Sequence, residues 1–237
     1  MSRDVIGKAL IDFENGNYTE DITTYSSLGE KDVLPLPYLF RDYDAMPLIE
    51  QKALDLCRGK VLDVGCGSGS HSLYLQKKGF EVTGVDTSEG AVATAKLRGV
   101  ANVLHSNVFD YSGMKFDTIL LLMNGIGISG QFNEVGRLMT KLETLLNPGG
   151  QILLDSSDII YMFELDDDGG YWVPNNGKYY GELEFTMEYK GLKSAPFNWL
   201  YLDFKNLKEL ADQNNLRCEL VCEGPHYDYL ARLRVQS

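Results

Sequence analysis

From residue 60 onward the apolar residues fall into short β-branched or leucine-rich runs: "KVLDVG", "FEVTGVD", "NVLHSN", "FDTILLLMN" and "GGQILLDSS". Between them, stretches near residues 70–78, 89–98 and 132–146 carry helical spacing, and the last is stopped by "NPGG". This alternation predicts βαβ units and a mostly parallel sheet. Beyond residue 157, "YGELEFTMEY" and "FNWLYLD" predict a hairpin across "KGLKSAP". A helix over "KNLKELADQNN" follows. Two closing strands, "LRCELVCEG" and "YDYLARLRV", are joined by so short a connection that they must run antiparallel.

The segment before residue 59 differs in character. An amphipathic stretch, "DVIGKALIDFEN", leads into a polar one, and a helix is predicted from Pro47, because proline suits the first helical turn. The expected organisation is therefore an N-terminal helical arm or cap over residues 1–58 and an α/β core over 59–157. An aromatic-rich insertion with a hairpin, a candidate substrate lid, spans 158–203. A helix and two antiparallel strands over 204–237 complete the core sheet.

Composition narrows the partners. The 237 residues are 44% apolar, enough for a full core, and carry a formal charge of −12. Phosphate backbones and anionic lipid surfaces are bound chiefly by Lys and Arg, so nucleic acid and membrane are disfavoured as partners. No run approaches the ~18 apolar residues of a membrane span, and a cytoplasmic protein is expected. Cys57, Cys66, Cys218 and Cys222 form no CxxC pair and read as reduced packing residues, with no metal site expected.

The candidate chemistry lies in "KVLDVGCGSGSHSLYL". Its glycines, Gly65, Gly67 and Gly69, follow a strand and open a helix, which places them at the carboxyl end of the sheet, where doubly wound sheets bind their ligands. A nicotinamide fingerprint needs G-x-G-x-x-G, and here position 70 is serine. Asp63, just before the turn, would be awkward beside a pyrophosphate and suits an amino group. Asp86 ends the next strand, where a carboxylate accepts both hydrogen bonds of a ribose diol. The crevice thus asks for a nucleoside that also carries a cation, as S-adenosylmethionine does.

On these residues the sequence resembles the class I S-adenosylmethionine-dependent methyltransferases from about residue 61 to 157, and its closing helix and strands extend the likeness towards the carboxyl terminus. "VLDVGCGSG" is similar to the family's first motif, "VTGVD" to its second strand with the ribose-binding acid, and "LLNPGGQILLD" to the entry into its fifth strand. The resemblance implies a doubly wound, seven-stranded, mostly parallel Rossmann-like sheet with its last strand antiparallel, flanked by the helical cap and the inserted hairpin. It also implies S-adenosylmethionine as cofactor. The segment Gly65, Cys66, Gly67 to Gly69 would approach the methionine part and Asp63 its amino group, with Asp86 and the following Thr87 at the ribose. The family's Gly-Asp-Ala is replaced by "HSNVFD", which puts Asn107 and the Val108 amide at the adenine. Asn124 begins the loop beside the transferable methyl, and the chain lacks the Asn-Pro-Pro-Tyr type of motif there that marks methylation of DNA adenine or protein glutamine.

Other candidates have less specific signals. Arg41 could clamp the cofactor carboxylate. His71, in the first turn after the glycines, and His226, before the last strand, are candidate substrate-facing groups or bases. His105 reads as a packing residue in its strand. Tyr161, Tyr179 and Trp199, with Trp172, Tyr180 and Phe197, either line a substrate pocket or support the hairpin. The run at 166–168, three aspartates, reads as a solvated loop tip. No definite catalytic residue is nominated. The expected function is methyl transfer to a small molecule by in-line displacement; a non-catalytic S-adenosylmethionine-binding module and an NAD(P)-dependent oxidoreductase are the alternatives.

Overall fold

In the computed structural model, which describes residues 4–165, 169–173 and 177–236, the predicted strands assemble into one seven-stranded sheet. The three aspartates at 166–168 lie outside the described residues. The sheet contains β3 (Val61–Val64), β4 (Val82–Asp86), β5 (Val103–His105), β6 (Phe116–Leu121), β7 (Leu146–Ser157), β11 (Leu216–Glu223) and β12 (Asp228–Val235), in the order β11-β12-β7-β6-β3-β4-β5. The five strands β3 to β7 are parallel to one another, while β12 runs antiparallel to both β7 and β11. The order reverses at β3, so the crevice at the carboxyl ends of β3 and β6 is the switch point where such sheets bind ligands.

Four helices cover the sheet: α3 (Leu48–Asp55), α4 (Ser70–Lys77), α5 (Glu89–Leu97) and α6 (Val135–Thr144), with α7 (Phe204–Gln213) leading into β11. One face packs Leu62, Ile119, Leu121, Ile152 and Leu154 against Leu138, Leu142 and Leu207. The other packs Val61, Leu120, Leu153 and Leu230 against Ile49, Leu54 and Leu75. Residues of one strand alternate between the two cores, as a sheet buried on both sides requires.

The arm differs from its helical expectation. Besides α1 (Val5–Glu14) and α2 (Leu36–Leu39) it contains two strands, β1 (Ile22–Ser26) and β2 (Lys31–Leu34). These join β8 (Glu182–Tyr189), β9 (Leu192–Lys193) and β10 (Phe197–Leu200) of the insertion in a second sheet, where Thr24 pairs with Met187 and Trp199 with Leu183. Strands of four and five residues, exposed or half-buried except at Ile22, leave too little alternation for period 2 to register in sequence. Ile22, Leu36 and Tyr189 close a small core that ties the arm and the insertion together. The predicted hairpin forms, β8 against β10, and Lys190 and Gly191, both left-handed, make the tight turn into β9.

Candidate functional site

The turn after β3 has its three glycines in the left-handed region, with φ of 73°, 53° and 83° at Gly65, Gly67 and Gly69. The Gly65 and Cys66 amides donate to the Val85 carbonyl at 2.8 and 3.2 Å, which folds the turn back onto β4. The glycines do different work. A Cβ at Gly69 would lie 2.6 Å from Val100 Cγ2, so this position serves close packing. A Cβ at Gly67 would meet only the Gly65 carbonyl at 4.0 Å, so this position faces open space. The Cys66 side chain turns away into the core, where its Sγ would be 2.9 Å from a Cβ at Gly84, and burial pushes its thiol well above the ordinary range. Only its backbone belongs to the turn.

Two carboxylates flank these glycines. Asp63 is buried and accepts from Ser72 Oγ at 2.6 Å. Asp86 accepts from the Gly67 amide at 2.9 Å and the Ser88 amide at 2.8 Å, one on each oxygen. Burial raises the Asp86 carboxyl and the two amides oppose that rise without cancelling it. Thr87 is exposed, and its carbonyl lies 2.9 Å from His105 Nε2. His105 is therefore not a packing residue: at the sheet edge on β5 its side chain is exposed and bonded to the Asp86-Thr87 loop. Asn107 is exposed and its Oδ1 already accepts from the Phe109 amide at 3.0 Å, while Val108 is buried in the main core.

The arm is stitched to the glycine turn. The Leu39 carbonyl at the end of α2 accepts from the hydroxyls of Ser68 and Ser70. Arg98 Nη1 donates to the Ser68 carbonyl at 2.9 Å and to both serine hydroxyl oxygens. Two residues further, Arg41 is buried in an ion pair with Glu50 of α3, and Glu50 in turn lies 2.8 Å from His71 Nε2 on α4. Burial alone would raise the Glu50 carboxyl, yet His71 and Arg41 together hold it below its ordinary value. Arg41 Nε is buried without a hydrogen-bond partner. Arg41 and His71, 30 residues apart in sequence, thus share one carboxylate. Glu50 carried no signal of its own, because an acid in "LIEQKALD" reads as a solvated helix residue.

Asp155, on β7, carries no sequence signal either. Its two oxygens accept from the Met123 and Gly125 amides, both at 3.1 Å, and so hold the loop that follows β6. Met123 and Asn124 are non-glycine residues with φ of 64° and 57°, an unusual conformation that this clamp maintains. The Asn124 side chain donates to the Leu200 carbonyl at 3.0 Å and accepts from Ser156 Oγ at 2.8 Å, which ties the loop to β10 and β7. Burial, reinforced by Glu50, pushes the Asp155 carboxyl up to about 7 against the two amides and His71. The Trp199 indole lies against Gly127, where a Cβ would be 2.1 Å from its Nε1.

The remaining candidates divide. Tyr161 stacks on Tyr227 with ring centroids 4.9 Å apart, and both are exposed at the carboxyl end of the sheet. His226 is exposed in the same turn, with its amide bonded to Asp228. Tyr179 instead donates to Asp203 at 2.5 Å and Tyr180 to Asp158 at 2.7 Å, so these two hydroxyls anchor the insertion. Trp172 is exposed, and Phe197 meets Trp199 edge-on. Among the described residues no group of three or more His, Cys, Asp or Glu is arranged to hold a metal ion, and no helix is long and apolar enough to cross a membrane.

A family model described as a methyltransferase domain matches residues 39–219. A crystal structure of an S-adenosylmethionine-dependent methyltransferase from Bacteroides fragilis, in complex with S-adenosyl-L-homocysteine, is 44% identical and superimposes with a TM-score of 0.91, covering 99% of this chain and 95% of that one. The ubiquinone biosynthesis O-methyltransferase of Histophilus somni is 28% identical over 192 residues, 77% of this chain and 74% of that protein. The ribosomal RNA small subunit methyltransferase C of Alcanivorax borkumensis is 30% identical over 118 residues, 46% of this chain and 36% of that protein. The chain spans about half the length or less of several curated relatives it matches.

Proposed function

Because the chain belongs to the class I S-adenosylmethionine-dependent methyltransferases, we propose that it transfers the cofactor's methyl group to a small-molecule acceptor in the cytoplasm. The observation that carries this reading is the turn at Gly65 to Gly69, whose middle glycine faces open space while its amide is fixed to Asp86. The residues present fit the cofactor. The open position at Gly67 admits a ligand against the backbone, Asp63 and Asp86 are carboxylates of the kind an amino group and a ribose diol require, and the buried Arg41 Nε lacks a partner. Asn107 and the Val108 amide would meet the adenine. S-adenosylmethionine supplies a methyl group on a sulfonium, a good leaving group.

The protein's own work is then alignment and exclusion of water, which together lower a displacement barrier by several kcal/mol. The arm and the insertion are read as the cover that does this, with Trp199, Asn124 and Asp155 holding the loop beside the methyl and Tyr161 and His226 at the rim. The small-molecule acceptor is supported by the charge of −12, which opposes a polyanion. It is also supported by the likeness to the ubiquinone biosynthesis enzyme over 77% of this chain, against 46% for the ribosomal RNA enzyme. The cytoplasmic assignment rests on four cysteines that are all free thiols.

The test is thermal unfolding with S-adenosylhomocysteine and with NAD. At ~100 times its dissociation constant a ligand adds about 2.7 kcal/mol, a shift of roughly 5–10 °C for a chain of this size. The sulfur nucleoside is expected to give that shift in the wild type and not in Asp86→Ala. A shift with NAD alone would overturn the assignment.

A further inference from the structure

At the amino end of the parallel strands, opposite the cofactor crevice, β11 and β12 present arginines on one face. Arg217 is directly opposite Arg234, and Glu219 is directly opposite Arg232. With Val235 and Gln236 these residues line a concavity of about 500 Å³. Glu219 is already committed, since its carboxylate takes both Nε and Nη2 of Arg232 at 2.7 to 3.2 Å. Among the described residues neither Arg217 nor Arg234 is in an ion pair, although like charges set directly opposite on neighbouring strands repel. Arg58, whose guanidinium donates to the Gly149 carbonyl, adds a fourth positive charge nearby. Burial, together with Arg232, Arg58 and Arg217, lowers the proton affinity of Arg234 against the opposing pull of Glu219, so the arginines feel one another's fields.

Edge strands are often blunted by charge, and β11 is an edge strand. Edge protection alone accounts poorly for the residue choice. The chain has 8 arginines and 14 lysines, yet four of the arginines gather here and no lysine lines the concavity. Arginine differs from lysine in presenting a planar fork that matches phosphate or carboxylate with two parallel hydrogen bonds. Opposed forks in a concavity therefore describe a site for an anion that accepts from both. A long polyanion would run beyond the patch onto a surface whose sum is −12, whereas a small dianion would be contained by it.

We propose that Arg217 and Arg234, supported by Arg232 and Arg58, form a binding site for a small phosphate or dicarboxylate dianion, separate from the cofactor crevice. The site does not depend on the methyltransferase reading.

The experiment is thermal unfolding of the full chain in inorganic phosphate, in malonate and in sodium chloride at matched ionic strength, with a short single-stranded RNA as a fourth arm. Either dianion is expected to raise the melting temperature by about 2–4 °C over chloride at a few times its dissociation constant. The arm with the larger shift tells phosphoryl from carboxylate ligands. The double variant R217Q/R234Q is expected to lose the shift while keeping its circular dichroism spectrum and its response to S-adenosylhomocysteine, which shows that the fold and the crevice survive. Equal melting temperatures in all the salts would overturn the proposal, as would a shift retained in the double variant. Tighter binding of the RNA than of either dianion would reassign the patch to nucleic acid.

Discussion

Asp4 caps two helices at once: its carboxylate accepts from the Gly7 amide of α1 and from the Gly90 amide of α5, each at 2.9 Å. It also accepts from Ser88 Oγ, and the Ser88 amide is bonded to Asp86. The helices meet so closely there that a Cβ at Gly90 would lie 2.5 Å from the Gly7 backbone. One side chain from the arm thus organises the loop that holds the candidate ribose-binding acid.

Asp4→Ala is expected to cost about 1–2 kcal/mol, the upper range for a lost cap, because α1 loses its N-cap and the Gly90 amide its acceptor, although Ser88 still caps α5. Calorimetry with S-adenosylhomocysteine should show weakened affinity as well, since Ser88 loses its anchor beside Asp86. An unchanged affinity with lowered stability would confine Asp4 to the arm.

Gly67→Ala and Gly69→Ala should separate binding from folding. At Gly69 the added methyl meets Val100 at 2.6 Å and the φ of 83° is unfavourable, so a loss of about 2–4 kcal/mol is expected. At Gly67 there is space, and only the backbone penalty of roughly 1–2 kcal/mol applies. That methyl would occupy the open crevice, so cofactor affinity is expected to fall at least about tenfold with most stability kept. Paired melting and titration measurements check both.

The contrast between these glycines also explains what the sequence could reveal. The parallel core was legible because its runs are bounded by turns and its motifs stand at fixed offsets. Asp63 and Asp86 are candidates by their place at strand ends, which is a topological signal. Glu50 and Asp155 were not found, because a buried acid looks like a surface acid until its partners are in view: Arg41 and His71 for one, two loop amides for the other. The strands β1 and β2 escaped for a related reason. Their order comes from the pairing of β1 with β8, more than 150 residues away, on which β2 is then added as the edge strand, and not from their own apolar pattern.

Glu50→Gln is expected to be strongly destabilising, by about 3–5 kcal/mol, because it leaves the buried Arg41 charge without its carboxylate. The wild-type carboxyl is held below its ordinary 4.5, so its stabilising effect is present above that value and is lost as pH falls below it. Melting curves between pH 3 and 7 should therefore show a steeper acid limb in the wild type than in the variant. Parallel limbs would mean that Glu50 does not carry the coupling.

Asp155 should act in the opposite sense. Its folded-state value of about 7 lies above the ordinary 3.8, so between these two pH values the native protein binds the proton that the unfolded chain has released. Its contribution to stability is thus greatest below pH 4, declines as pH rises through that window, and levels off above 7. The cost of ionising a buried carboxyl is the cause, and the Met123 and Gly125 amides recover only part of it. Asp155→Asn cannot ionise, although it loses one acceptor for the two amides and should cost about 1–3 kcal/mol at pH 5. Since the wild type declines towards pH 8 and the variant does not, the gap between their melting temperatures is expected to narrow steadily from pH 5 to 8. A constant gap would show that Asp155 keeps one protonation state throughout, and that the loop after β6 is held by an acid that does not titrate.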